Sequence, residues 1–184
     1  MRKSTLLLVL VLMLIFPAIA RAQTPVTFDQ LDIQFLPEYD QAAVLVIYDF
    51  VVSAETSLPA QISIRMPIGA QLWAVARRES GGLMDQEHDL PKQQGNYEVV
   101  NFTVEDRSLY RVEFYVPYTR EGNKRSFIFT WPGDYAVSRM TVSMQEPVGA
   151  ANITTEPVMS QSTQGEDGFI YRAASLEQVA ARQT

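Results

Sequence analysis

"YRVEFYVPYTREGNKRSFIFTWPGD", residues 110–134, decides how this chain is read. Tyr110, Val112, Phe114 and Val116 alternate with Arg111, Glu113 and Tyr115, the period-two signature of a half-buried strand. The charged "YTREGNKR" (118–125), with Gly122-Asn123 at its centre, reads as a hairpin connection. Phe127, Phe129 and Trp131 then share one side of a return strand, opposite Ser126, Ile128 and Thr130. This phase predicts the three aromatics inside the fold rather than on a ligand platform. Pro132-Gly133 suits the central positions of a type II turn.

The same alternation recurs on both sides. Leu31, Ile33 and Phe35 alternate with Asp32 and Gln34 before Pro37; Ile62, Ile64 and Met66 alternate with Gln61, Ser63 and Arg65. Val100, Phe102 and Val104, and later Met140, Val142 and Met144, repeat the pattern. "AAVLVIYDFVV" (42–52) is apolar almost throughout, as expected of a central strand covered on both faces. "QLWAVA" from Gln71 is a further strand of undefined phase, and short strands are expected at 152–156 and 168–173. Residues 77–96, with Gly81-Gly82 and Pro91, read as the longest loop, and 160–168 as a flexible linker. Ser175 and Gln178 have capping-box spacing, which predicts a short helical or frayed tail over 175–184. The fold class is therefore all-β: an antiparallel β-sandwich, immunoglobulin-like or jelly-roll-like, of 8–10 strands, with a closed barrel as the structural alternative.

The domain organisation follows. Arg2 and Lys3, the apolar run Leu6–Phe16 and Ala20-Arg21-Ala22 read as an export signal over residues 1–22, too short to span a bilayer, which takes ~20 apolar residues. Cleavage after Ala22 leaves the sandwich domain over 23–174, placed in the periplasm, at the cell surface or outside the cell. An uncleaved N-terminal membrane anchor is the alternative. The mature chain carries 12 basic and 21 acidic residues, net −9, a balance that disfavours nucleic acid and anionic lipid. It contains no transmembrane helix by this reading. The chain has no Cys, so thiol nucleophiles, thiolate metal sites and disulfides are excluded.

Candidate sites are few. Tyr115 lies on the charged side of its strand; with Tyr118, Tyr135 and Trp73 it forms the candidate ligand-binding set. "DQEHD" (85–89) holds the only His, and Asp85, Glu87, His88 and Asp89 are the candidate metal ligands. Their spacing matches no standard calcium loop, so no cofactor is assigned. Asp29, Asp32, Glu38 and Asp40 bracket the first strand and read as edge protection, or as a calcium site at a sandwich edge. No Gly-x-Ser-x-Gly elbow, His-pair metal motif or phosphate loop occurs, which points away from an enzyme.

"LPEYDQAAVLVIYDFVV", "YRVEFYVPY" and "FTWPGDYAV" resemble segments of uncharacterised exported bacterial β-sandwich domains, often membrane-tethered. The resemblance covers most of residues 36–149 and implies fold and export but no site residues. Such relatives often carry a C-terminal membrane helix, whereas this chain ends at Thr184 without one. The expected function is that of a noncatalytic exported binding or interaction domain. Its partner would be a protein or polysaccharide at the cell surface. A carbohydrate-binding module is the first alternative and a hydrolase of unknown substrate the second.

Overall fold

A computed structural model describes residues 25–182; the expected export segment, its expected cleavage point and the last two residues lie outside that range. The chain enters on β1 (Thr27–Pro37) and turns back as β2 (Val44–Val52). It crosses to a second layer in β3 (Ala60–Pro67), returns in β4 (Gln71–Glu79) and folds over as β5 (Gly82–Asp85). β6 (Lys92–Gln94) and β7 (Tyr97–Val104) cross again before β8 (Tyr110–Val116). A small ribbon, β9 (Thr119–Glu121) and β10 (Lys124–Ser126), precedes β11 (Ala136–Gln145). β12 (Gln161–Gln164) and β13 (Ile170–Val179) complete the described residues.

These strands build an eight-stranded sheet in the order β12-β13-β11-β1-β2-β8-β4-β5 and a three-stranded sheet β3-β7-β6. Pairing is antiparallel throughout except for β1 against β11. The large sheet ends at β12 and β5, so the architecture is an open sandwich and not the closed barrel. Its inner face presents Leu31, Ile33, Phe35, Val46, Tyr48, Phe50, Val112 and Phe114, all buried. The small sheet answers with Ile62, Ile64, Met66, Val100, Phe102 and Val104. Each such side chain, fully buried, contributes about 1.5–3 kcal/mol of transfer free energy, which is why the period-two faces govern the layering.

The three-stranded sheet is too narrow to cover the large one. The stretch after β10 covers the rest. Phe127 and Phe129 pack on Phe35 (ring centroids 5.3 and 5.1 Å), Trp131 on Tyr48 (5.5 Å) and Tyr135 on Phe28 (4.6 Å). Ser126 and Thr130 face outward and Ile128 is 96% exposed, so the phase read from the sequence holds. The expected return strand does not: residues 127–134 have no ladder partner and are held by their inward aromatics. Gly133 at φ 74° fits the positive-φ position of the predicted turn, and its carbonyl accepts the Arg182 N–H at 2.9 Å. Tyr135 Oη accepts the Ser63 N–H (2.8 Å) and donates to the Ser63 carbonyl (3.2 Å). Together with the Arg65–Asp134 ion pair it closes the free edge of β3.

Further expectations need correction. Residues 175–179 are not helical but the second half of β13, because Leu176 and Ala174 pair with Met140 and Val142 of β11. The sandwich therefore runs beyond residue 174. The long loop over 77–96 holds the end of β4 and two short strands, β5 and β6, with an intersheet crossing between these two, where His88 bridges Phe102. The linker over 160–168 contains β12, while 152–156 form no strand. Among the described residues the strand count rises to thirteen because short exposed strands such as "KQQ" and "QSTQ" carry no hydrophobic alternation and pair only through backbone bonds. Finally, β1 is not an edge. It lies between β11 and β2, so its acidic residues are not edge protection; Asp32 accepts from Gln30 Nε2 at 2.5 Å.

Candidate functional site

The outer face of the large sheet carries its own pattern. Across β4, β8, β2 and β1 one row reads Gln71, Tyr115, Leu45 and Leu36, as the cross-strand register places them. The parallel pairing of Phe35 with Met144 continues the row into Gln145 of β11, whose partner on β13 is Tyr171. Leu36, Leu45, Ile47 and Tyr115 form a second apolar cluster, separate from the main core. Two rows along, Arg111 Nε and Nη2 donate to Asp49 Oδ1 and Oδ2 at 2.7 and 2.6 Å, a bidentate cross-strand pair. That carboxylate raises the already high pKa of Arg111.

Trp73 stands out on this face. The β4–β8 register slips between Leu72 and Ala74, so Trp73 occupies a bulge, where an extra residue re-aims its side chain. The indole is 68% exposed and meets Tyr115 edge-on at 6.0 Å. Tyr115 itself is 5% exposed, and its hydroxyl donates to both oxygens of Asp40 at 2.9 and 3.0 Å. Burial first, and then this carboxylate, push its phenol up to about 12.

Asp40 belongs to the β1–β2 turn, closed by the Glu38 N–H donating to the Ala43 carbonyl at 2.9 Å. Glu38 sits at φ 55°, a left-handed conformation that sharpens the turn. Its Oε1 accepts from Tyr118 Oη (2.6 Å) and Arg125 Nε (3.1 Å). The Tyr118 hydrogen bond, then that of Arg125, hold the Glu38 carboxyl below its ordinary range, and Glu38 raises the Tyr118 phenol in return. Between them Tyr39 projects 58% exposed. It lines a recess of about 230 Å³ with Pro37, Glu38, Gln145, Pro147, Val148 and Phe169.

The four sequence-predicted aromatics therefore separate. Trp73 and Tyr115 meet, Tyr118 stands one turn residue away through Glu38, and Tyr135 lies elsewhere, latched to β3. Only Trp73 among them offers an open ring face. Asp85, Glu87, His88 and Asp89 are all exposed, and His88 Nδ1 bonds the Asp89 carbonyl at 2.8 Å. Among the described residues, no three His, Asp or Glu side chains converge on one point. Tyr39 and the recess are not among the residues that the sequence pattern singles out. Their one sequence signal was a tyrosine inside "LPEYD", a turn bounded by Pro37, where exposed side chains are usual.

The fold and this rim define an all-β sandwich domain with an aromatic-bearing outer sheet face. No family model and no curated protein matches the chain. Among solved structures it is similar to a Parabacteroides distasonis protein named as a candidate protease, with TM-score 0.44 and 11% identity over 88% of this chain and 37% of that one. It is also similar to native yeast LTA4 hydrolase, with TM-score 0.43 and 11% identity over 83% of this chain and 26% of that one. The chain spans about a quarter to a third of the length of these structures. Among the described residues no helix is long and apolar enough to cross a membrane.

Proposed function

We propose that this is a noncatalytic binding domain, exported to the cell envelope or extracellular space, whose contact surface is the outer sheet face around Trp73. One observation carries the proposal: a 68% exposed tryptophan, turned out by a bulge and buttressed by a buried tyrosine pinned to Asp40. Leaving a large apolar ring in water brings no folding benefit, so a rigid support beneath it speaks for a role in contact. Export rests on residues 2–22, and the noncatalytic character on the absence of nucleophile and metal motifs from the sequence. The partner is a protein or a polysaccharide of the surface. The aromatic ring with carboxylates and amides around it favours the carbohydrate-binding form of this reading.

Retention of the purified mature chain on insoluble polysaccharides and on envelope fractions, compared with Trp73→Ala, tests it. Retention is expected to drop about tenfold in the variant, the loss of one aromatic anchor, with no release of reducing ends by either protein. Equal retention of both, or hydrolysis abolished by one carboxylate substitution, would overturn the proposal, the latter in favour of a hydrolase.

A further inference from the structure

We infer that the recess beside Tyr39 is a site for a trimethylammonium group, as free choline or on a choline lipid, separate from the Trp73 surface. Three chain segments build it. The β1–β2 turn gives Pro37, Glu38 and Tyr39; the end of β11 and the turn after it give Gln145, Pro147 and Val148; the loop before β13 gives Phe169. Backbone bonds fix these segments. The Glu146 N–H donates to the Ile170 carbonyl at 2.8 Å, the Ala150 N–H to that of Pro147 at 3.1 Å, and the Gly165 N–H to that of Phe169 at 2.8 Å. The walls are therefore in place before a ligand arrives, which removes the cost of ordering them. The recess, about 230 Å³, is smaller than the ~300–1,000 Å³ of sites that enclose a whole drug-sized ligand, and suits a small headgroup.

The lining selects the ligand. Tyr39 and Phe169 are its aromatic members, Pro37, Pro147 and Val148 its aliphatic ones, and no Lys, Arg or His is among them. Among the described residues neither Tyr39 nor Phe169 stacks on another ring, and the guanidinium that covers a ring is Arg65 on Tyr97, in the small sheet. The two π faces, negative at their centres, thus hold no cation of the protein's own. The polar members are acceptors. Tyr118 and Arg125 both bond Glu38 through Oε1, and Oε2 takes no hydrogen bond from the described residues. Gln145, 4% exposed, donates its amide nitrogen to Tyr171 Oη at 3.0 Å, and its oxygen likewise takes none. Arg125 and Arg172 are each engaged by a carboxylate, Glu38 and Glu146, while Asp40 and Asp167 add negative charge on the same turn and loop. A cation clothed in methyl groups matches these walls: the rings and Glu38 favour its charge, it brings no N–H to satisfy, and its methyls meet proline and valine. A primary ammonium would bring three N–H donors to mostly apolar walls, and an anion would meet Glu38 and the net −9 of the mature chain.

The experiment is an amide chemical-shift titration of the mature chain by NMR with choline, tetramethylammonium, glucose and dimethylbutanol, the uncharged carbon isostere of choline. Both cations are expected to saturate, with shifts at the Tyr39, Val148 and Phe169 amides and none at the Trp73 indole. The isostere and glucose should bind at least about tenfold more weakly, because the apolar contact remains and the charge is gone. Tyr39→Leu keeps apolar bulk without a π face and should weaken choline about tenfold, the scale of one desolvated cation–π contact, while Tyr39→Phe retains it. Tyr39 is exposed, and an unchanged spectrum away from the recess verifies that both variants are folded. Sedimentation with phosphatidylcholine vesicles separates the sources: co-sedimentation points to a lipid-borne group, its absence to the free cation. Equal affinity for choline and its isostere, choline binding indifferent to Tyr39→Leu, shifts centred on Trp73, tighter binding of glucose, or no saturation by either cation overturns the inference. The polysaccharide retention test of Trp73→Ala is untouched by any of these results, so the two readings fail separately.

Discussion

The chain has two tryptophans, and the structure gives them opposite duties, which makes a matched pair of substitutions a direct test of the layering. Trp131 packs on Tyr48 beneath the aromatic cover; Trp73 stands 68% exposed on the other face. An aromatic side chain buries ~150–250 Å², so at ~25 cal/mol per Å² full burial is worth about 4–6 kcal/mol, and the half-buried Trp131 about 3. Against this, Trp131 Nε1 is buried without a protein hydrogen-bond partner, an uncompensated desolvation of ~1 kcal/mol or more. Trp131→Ala should therefore destabilise by about 2 kcal/mol, Trp131→Phe by less than about 1, and Trp73→Ala by less than about 0.5. With a urea m-value of ~1–3 kcal/mol/M, the first shifts the midpoint by roughly 1 M. Fluorescence supplies the internal control, since each single variant leaves one reporter: the Trp73→Ala protein should emit at shorter wavelength than Trp131→Ala. Equal midpoints for the two alanine variants, or a red-shifted Trp131, would refute the assignment of residues 127–135 as the cover of the core.

Further outcomes follow from the polar contacts. Tyr135→Phe removes the hydroxyl that serves both Ser63 backbone groups and should cost about 1 kcal/mol, with faster hydrogen exchange at the Ser63 amide. Arg111→Ala leaves the nearly buried Asp49 carboxylate without its bidentate partner. About 2 kcal/mol is expected, discounted from the ~3–5 of a fully buried pair because the guanidinium keeps some solvent contact, and Asp49→Asn in the same background should recover part of it. Alkaline stability follows from the tyrosines. Tyr48, Tyr115, Tyr118, Tyr135 and Tyr171 are all raised above the ordinary phenol value, Tyr115 to about 12. Because the folded state holds these protons more tightly, their contribution is complete below pH ~10 and is lost as pH rises through the folded values. Unfolding monitored from pH 9 to 12 should show falling stability, reduced in slope by Tyr115→Phe; a flat profile contradicts the burial.

Period-two alternation made most of this molecule legible in advance. Each strand that buries one face wrote that fact into its residues, as in Ile62-Ser63-Ile64-Arg65-Met66, and the central position of β2 was readable from its near-continuous apolar run. Where strands are held by backbone bonds alone, as β5, β6 and β12 are, no side-chain pattern exists to be read. The tail over 175–179 misled for a related reason: its spacing satisfies a helix cap, but the backbone partner offered by β11 is a long-range contact. The all-β class, the inward phase of Phe127, Phe129 and Trp131, and the lack of thiol chemistry in a chain without cysteine were all written in the residues themselves. That these aromatics cover the core without joining a sheet, and that β1 is interior, emerges from the folded arrangement alone. It alone placed Trp73, Tyr115, Asp40 and Tyr39 along one rim. Those outcomes depend on which distant strands become neighbours and where a register slips by one residue. Local alternation carries which side of a strand is buried, not what lies beside it.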